Sequence, residues 1–242
     1  MSDSNYTLGL ICGTNLLESD WFEEFERTTV HTDYGTVPTY EGTQCIAIQR
    51  HEAPDGSYSP PHTINHKGHI KTLARYDVDH VFAVQSVGSV DPDIEPGSFI
   101  VPDDFFHPWE LITFYDDDRG HGVAEFDPYL RVQVLDSLEN TTFNPVDSGV
   151  YAQTLGPRFE TPAEAEMLSD YADVVGMTAA SEVSLACEMD LSYATLCSVD
   201  NYVNGIDGTS ITMEQFKKNV EKNQPRVING VEAVLDSLLG GS

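Results

Sequence analysis

Short, almost continuously apolar blocks alternate along this chain with segments whose apolar residues recur at helical spacing. Seven blocks are predicted to be strands: residues 7–12, 44–50, 80–87, 97–105, 150–155, 173–177 and 193–199. Helical spacing marks five segments: 62–76, 127–140, 162–172, 181–189 and 212–239. Strands that are apolar throughout are typical of a sheet covered on both faces. The alternation predicts an α/β fold with a largely parallel or mixed sheet, and Pro225 is predicted to break or kink the last helix.

The 242 residues contain no repeat, linker or low-complexity segment, so we expect a single domain over 1–242. No apolar run approaches the roughly 18 residues of a membrane-spanning helix. The N-terminus lacks the basic start and long apolar stretch of a signal peptide. These features predict a cytoplasmic protein.

The charge is strongly acidic, with 40 Asp and Glu against 12 Lys and Arg and a formal net charge of −28. Nucleic-acid binding is disfavoured, because it needs clustered cations against phosphate. The acidic residues are scattered along the chain, which favours a halophilic proteome in which salt screens self-repulsion. A basic protein partner is the alternative that stays open.

The four cysteines have no C-x-x-C spacing: Cys12, Cys45, Cys187 and Cys197. They are therefore predicted to be free thiols in the core rather than a disulfide framework or a zinc site. The histidines of 62–69 lack a neighbouring acid and are interpreted as a helix face. No metal site is expected.

The stretch TLGPRFETPAE (154–164) leads into a well-marked helix start. Thr161 is the predicted N-cap, Pro162 suits the first helical position and Glu164 completes a capping box. Phe159 and Glu160 stand just before this rigid start. They could form a simple turn with the ring in the core, or a pocket that stacks a flat ring on Phe159 and hydrogen-bonds its edge through Glu160.

Ligands of open α/β sheets collect at the carboxyl ends of the strands. The predicted strands are followed by 13–15 (GTN), 50–51 (RH), 86–89 (SVGS), 156–160 (GPRFE), 177–178 (MT) and 200–202 (DNY). Each stretch alone is a common turn or surface pair. Together, the hydroxyls, glycine amides and Arg-His pair predict an anion site, and the Phe, Glu and Asn predict a site for a flat heterocycle.

These motifs, in this order, resemble the trimeric nucleoside phosphorylases, which include purine nucleoside and methylthioadenosine phosphorylases. The similar segments are GLICGTN, RH with a downstream P-x-x-I-N, QSVGSVDPDIEPGSFIVPDDF, GVYAQTLGPRFETPAEAEML, DVVGMTAASEVSLACE and YATLCSVDNYVNG. The resemblance implies a central mixed β-sheet flanked by helices and a homotrimer with active sites at subunit boundaries. It also implies inorganic phosphate as co-substrate, no cofactor and a role in purine salvage.

The resemblance further assigns site residues. Those implied for phosphate are Thr14, Arg50, His51, the backbone around Ser86, and Thr178. Those implied for the purine are Phe159, Glu160, Asn201 and Val203. The sugar would contact Met177 and Met213, and His121 would be lent to the neighbouring subunit. Asn201, His51 and Glu160 are the expected catalytic residues, with Asn201 stabilising negative charge on the leaving purine.

A Glu160–Asn201 pair suits a 6-oxopurine, because Glu can accept from N1–H while Asn bonds O6 and N7. Adenine has no N1–H, and the carboxylate would be left unpaired, which gives strong discrimination. Adenosine-type members carry a serine in place of Glu160. Met213 suits an apolar 5′ group, so 5′-methylthioinosine stands beside inosine and guanosine. Gln85 departs from the Thr or Asn of relatives. Two alternatives stay open, a methylthioadenosine phosphorylase and a non-catalytic nucleoside-binding protein.

Overall fold

A computed structural model describes residues 7–17, 19–110, 112–139, 141, 143–206, 208 and 210–240 of the chain. Its strands are β1 Leu8–Cys12, β2 Glu26–Thr32, β3 Gly35–Glu41, β4 Cys45–Gln49, β5 His80–Ser89, β6 Phe99–Ile100, β7 Asp104–Phe106, β8 Val150–Gln153, β9 Val174–Gly176 and β10 Ser192–Tyr202. Its α-helices are α1 Thr14–Leu17, α2 His66–Arg75, α3 Pro128–Glu139, α4 Pro162–Ser169, α5 Ala179–Glu188 and α6 Met213–Gly240. Short 3₁₀ helices lie at Asp20–Glu24, Pro61–Thr63 and Asp118–His121.

All ten strands belong to one mixed sheet in the order β2-β3-β4-β1-β5-β9-β8-β7, with β10 pairing β5 and β6. The pairs β1–β4, β1–β5, β5–β10, β7–β8 and β8–β9 are parallel. The pairs β2–β3, β3–β4, β5–β9 and β6–β10 are antiparallel. The predicted α/β fold with a central mixed sheet is therefore confirmed.

Helices cover both faces of the sheet, and neighbouring strand residues pack against different helices. Leu10 of β1 packs into a core cluster with residues of α3 and α6, whereas Ile11 packs into a second cluster with residues of α2 and α5. Both side chains are fully buried. Since successive side chains of a strand point to opposite faces, a strand between two helical layers must be apolar throughout.

The predicted start of α4 is confirmed, because Thr161 and Glu164 form both hydrogen bonds of a capping box and Pro162 is the first helical residue. The segment predicted as one strand over 97–105 forms two short strands, β6 and β7. The capped start of α4 gives a rigid end to the loop that contains Phe159 and Glu160.

The predicted break of the last helix at Pro225 is wrong, and one pair of strands was not predicted. Helix α6 runs through Pro225 without a break, because its buried valines, among them Val227 and Val231, pack it against the sheet. The β2–β3 hairpin was not predicted as strands, since its residues are largely polar and β2 is an exposed strand at the sheet edge. Its β-branched residues are nevertheless those that strands favour.

The four cysteines are free thiols, as predicted, with Cys12, Cys45 and Cys197 buried and Cys187 half-buried. Burial raises the pKa of Cys45 to about 12, so its thiol stays protonated and unreactive at neutral pH. In the described residues, no helix is long and apolar enough to cross a membrane.

Candidate active site

One cleft, at the carboxyl ends of the central parallel strands, brings together the motifs that are far apart in the sequence. It is lined by the predicted residues Thr14, Arg50, His51, Ser86, Phe159, Glu160, Met177, Thr178, Asn201, Val203 and Met213. The position follows from the topology, because β1, β4, β5 and β10 run parallel and end at the same edge. Among the predicted site residues, His121 alone does not line it.

Arg50 follows β4 and is buried, with 1% of its surface exposed. Its Nε and Nη2 donate to the two carboxylate oxygens of Glu182, the latter bond measuring 3.0 Å, and Nη1 donates to the Val84 carbonyl oxygen at 3.0 Å. A Cβ on Gly13 would come within 2.5 Å of Nη1. The glycine of the GTN motif is therefore required by the close approach of the guanidinium.

Glu182 lies in the first turn of α5 and is completely buried. Besides Arg50, it accepts from the Tyr193 hydroxyl at 2.7 Å and from Gln85 Nε2 at 3.3 Å. Burial alone would lower the pKa of Arg50, but the Glu182 carboxylate raises it above its ordinary value. Arg50 thus stays charged and rigidly oriented at the floor of the cleft.

His51 lies beside Arg50, with Nδ1 2.9 Å from the Ser59 carbonyl oxygen and Nε2 3.4 Å from Thr14 Oγ1. The Tyr58 ring stacks on the imidazole at 5.3 Å between centroids. Burial, and then the nearby Arg50 charge, lower the pKa of His51 to about 4. A carbonyl can only accept, so the neutral ring has its proton on Nδ1 and presents the Nε2 lone pair toward Thr14.

Thr178 is the N-cap of α5, but its hydroxyl does not cap the helix. It donates to Gln85 Oε1 at 2.6 Å. Gln85 therefore joins two parts of the anion site, since its amide accepts from Thr178 and donates to the Glu182 that fixes Arg50. The backbone N–H groups of Thr178 and Ala179 both donate to the Tyr151 hydroxyl, at 3.2 and 3.3 Å, so the start of α5 offers an anion its dipole rather than these two amides.

The Ser86 hydroxyl donates to the buried Asp200 carboxylate. Asp200 also accepts from Ser198 at 2.9 Å and from Asn223 of α6 at 2.7 Å. Burial raises the pKa of Asp200, and these donors partly oppose the rise. Because the Ser86 hydroxyl is engaged, its backbone is the part available to a ligand.

The pairing of β10 with β5 shifts by one residue between Val199 and Asn201, which is a β-bulge. Bulges of this kind re-aim side chains next to functional sites. Asn201 is only 8% exposed, and its Nδ2 donates to the Tyr202 carbonyl oxygen at 2.8 Å. A Cβ on Gly88 would lie 2.8 Å from Val203 and 3.0 Å from Asn201 Nδ2, so this glycine makes room for both.

Phe159 and Glu160 form one wall of the cleft, so the pocket interpretation of this loop fits the structure better than a simple turn. The Phe159 ring lies 5.7 Å from that of Phe216, which also lines the cleft. Glu160 is 7% exposed and accepts from the Thr154 hydroxyl at 2.6 Å. Burial raises the pKa of Glu160 and the Thr154 hydrogen bond partly opposes the rise.

Of the three residues predicted to contact the sugar, two line the cleft and one does not. Met177 lines the cleft and packs against Gly156, where a Cβ would come within 2.6 Å of its sulfur. Met213, the first residue of α6, lines the outer part and is half exposed. His121 ends an exposed 3₁₀ helix outside the cleft of its own chain, so its predicted contact would need a second subunit.

In this α/β fold, one cleft brings together the residues predicted for an anion and those predicted for a flat ring. A sequence model of the "Phosphorylase superfamily" matches residues 7–236, and the chain belongs to that family. A protein of Archaeoglobus fulgidus described as "Probable 6-oxopurine nucleoside phosphorylase" is 36% identical over 230 residues, covering 93% of this chain and 94% of the relative. A protein of Methanocaldococcus jannaschii described as "Probable S-methyl-5'-thioinosine phosphorylase" is 32% identical, covering 93% and 90%.

Among solved structures, methylthioadenosine phosphorylase from Schistosoma mansoni in complex with adenine superposes with a TM-score of 0.83. The match covers 98% of this chain and 93% of that chain at 24% identity. At this identity the likeness shows the fold alone. The resemblance of the sequence to nucleoside phosphorylases is confirmed at the level of the family.

Sequence reasoning missed several residues of the site. Glu182 was predicted only as part of a helix, where an acid in the first turn has the ordinary explanation of the helix dipole. Phe216 and Tyr58 line the cleft from segments without a strand end. Nothing in the sequence distinguishes Thr154 from the rest of its loop. Its hydrogen bond to Glu160 depends on how that loop folds back.

Proposed function

We propose that this protein cleaves the N-glycosidic bond of 6-oxopurine nucleosides with phosphate, giving the free base and a pentose 1-phosphate. The observation that supports the proposal is that Arg50, His51 and Thr178 line the same cleft as Glu160 and Asn201. Relatives named as 6-oxopurine and methylthioinosine phosphorylases, each at least 32% identical over most of the chain, support the same reaction.

Phosphate would be held by Arg50, Thr14, His51, the Ser86 backbone and Thr178, whose hydroxyl would turn from Gln85 to the phosphate. Two of the five guanidinium N–H groups of Arg50 are directed to Glu182 and one to a carbonyl, which leaves two for the phosphate oxygens. The neutral His51 offers an acceptor for a protonated phosphate oxygen. The bound phosphate attacks C1′ as the glycosidic bond loosens, and the protein contributes mainly by positioning.

The purine gathers negative charge as it leaves. Asn201 has one free amide N–H to donate to O6 or N7, since its other N–H is bonded to the Tyr202 carbonyl, and its carbonyl oxygen can accept from N7 once N7 carries a proton. Glu160 accepts from N1–H, and Phe159 contacts the ring face. The developing charge is stabilised by groups fixed before the reaction, without a covalent intermediate.

A 5′-methylthio nucleoside is the second candidate substrate. Met213, Ile211 and Phe216 form an apolar outer end of the cleft, where a hydroxyl would find few partners. This end fits the thioether better than the 5′-hydroxyl of inosine. The relatives named as methylthioinosine phosphorylases support this candidate.

A homotrimer is part of the proposal. Trp109, Leu155 and Met167 are half-exposed apolar side chains that line a cavity beside the loop of Glu160. Exposed apolar side chains grouped next to a site are typical of an interface. We expect light scattering to give a solution mass three times that of the chain. If His121 reaches the cleft of a neighbouring subunit, the variant His121→Ala should lower the activity of the trimer. The cytoplasmic location and the high-salt habitat remain predictions from the sequence.

The test is phosphorolysis by the purified protein in concentrated salt, with chromatographic detection of the released base. Inosine, guanosine, methylthioinosine, adenosine and methylthioadenosine are each offered with and without phosphate. Hypoxanthine or guanine released only with phosphate supports the proposal, and a preference for methylthioinosine supports the apolar 5′ pocket. Cleavage without phosphate contradicts it. Cleavage of adenine nucleosides contradicts the base assignment, and binding without turnover favours the non-catalytic alternative.

A further inference from the structure

The Glu160 carboxylate accepts a hydrogen bond from a residue that does not line the cleft. Thr154, just after β8, donates its hydroxyl to Glu160 Oε1 at 2.6 Å. Thr154 lies in the wall of a neighbouring cavity, and Glu160 lines both that cavity and the cleft. One carboxylate oxygen is thus bonded away from the cleft, and the other is left for a ligand.

The backbone of Glu160 is fixed separately. Asn204 Nδ2 donates to the Glu160 carbonyl oxygen at 2.8 Å, and Asn204 Oδ1 accepts from the Ile211 N–H at 2.7 Å. With its backbone fixed, the remaining freedom of Glu160 lies in its side-chain torsions. The Thr154 hydrogen bond restricts that freedom.

The charged neighbours of Glu160 are Arg158 and Glu164. They pair with each other at 2.7 Å and are exposed, so the Arg158 charge is compensated and screened by solvent. Among the described residues, Thr154 is the side chain that donates to the Glu160 carboxylate. A hydrogen bond to an ionised group is stronger than one between neutral groups and favours the ionised form.

We propose that Thr154 is a positioning residue for base recognition, which orients the Glu160 carboxylate so that its free oxygen meets the N1–H edge of a 6-oxopurine. The inference rests on the function proposed above. It assigns selectivity to a hydroxyl that does not touch the substrate. A turn-forming threonine without this role would affect folding alone.

The test compares the variants Thr154→Val, which keeps the shape and removes the hydroxyl, and Thr154→Ser, which keeps the hydroxyl. For Thr154→Val we expect kcat/KM for inosine or methylthioinosine to fall about tenfold, with the KM for phosphate unchanged. The acid limb of its pH profile should move to higher pH, because Glu160 loses a donor that favours ionisation. Thr154→Ser should restore both, and Thr29→Val on the exposed part of β2 should change neither.

Binding of hypoxanthine in the presence of phosphate, followed by calorimetry, separates this proposal from the proposed reaction. Weaker binding to Thr154→Val supports the positioning role even if the wild-type protein has no turnover. Wild-type affinity and an unshifted pH profile in Thr154→Val would overturn it. So would a wild-type protein that binds no 6-oxopurine, or an equal loss for phosphate and for the base.

Discussion

Replacing Glu182 by Gln tests the buried ion pair beneath the anion site. The pair consists of Arg50 at 1% exposure and Glu182 at 0%, joined by two hydrogen bonds. The glutamine keeps the shape but removes the charge, and it turns one acceptor into a donor that faces Arg50 or Tyr193. Removing one partner of a buried pair costs about 3–5 kcal/mol, because the other charge is left uncompensated.

That loss is a large fraction of the roughly 5–15 kcal/mol that stabilises a typical domain. We therefore expect a much lower unfolding midpoint for Glu182→Gln in guanidinium chloride with an unchanged slope. Arg50 also loses the group that orients it, so the KM for phosphate should rise about tenfold or more while the KM for the nucleoside changes little. The matched control is Glu232→Gln, an exposed position of α6 that should leave both unchanged.

A double variant separates charge from orientation. Arg50→Met with Glu182→Gln removes the unpaired charge, so it should regain part of the lost stability while phosphate binding stays weak. An unchanged unfolding midpoint in Glu182→Gln would refute the energetic argument. A lower KM for phosphate in that variant would refute the orientation argument, since it would mean that Glu182 only quenches the charge of Arg50.

Further predictions concern the base, acid and salt. Asn201→Ala should lower kcat by about 10²–10³, as for the loss of one oxyanion donor, measured at saturating phosphate. Glu160→Gln should reduce the ratio of inosine to adenosine cleavage, measured as kcat/KM for each. Burial lowers the pKa of His51 to about 4 and of His66 and His69 to about 3 in the folded protein. As the pH falls through about 6.5, these histidines therefore bind protons in the unfolded chain before they do so in the folded protein. Each of these three histidines should lower the free energy of unfolding by roughly 2 kcal/mol at pH 5, and the raised pKa values of buried carboxyls should partly offset this loss. Unfolding measured at pH 7.5 and at pH 5 would give the difference. With a net charge of −28, the melting temperature should rise with potassium chloride, whereas a flat response between 0.1 and about 2 M would contradict the high-salt interpretation.

The cleft was predictable because its residues follow strands that the apolar pattern identifies. Thr14 and Arg50 follow buried parallel strands and Asn201 lies near the end of another, and the topology of such sheets brings those ends together. The loop of Phe159 and Glu160 was predictable for a different reason, since its capping box is a local signal. Local and topological signals can both be read from one chain without coordinates.

The residues that were missed act through contacts with no such signal. Glu182 contacts Arg50 although the two residues are 132 positions apart in the sequence. A glutamate in the first turn of a helix is favoured by the helix dipole, so its residue type alone gives no sign of this contact. Thr154 has no signal in the sequence and Gln85 stands out there only as a departure from relatives, because their contacts depend on an orientation that only packing determines. The groups proposed to contact the substrate thus lie mostly at strand ends, whereas the groups that orient them lie in the core. Selectivity should therefore respond to substitutions such as Thr154→Val that leave every predicted contact residue intact.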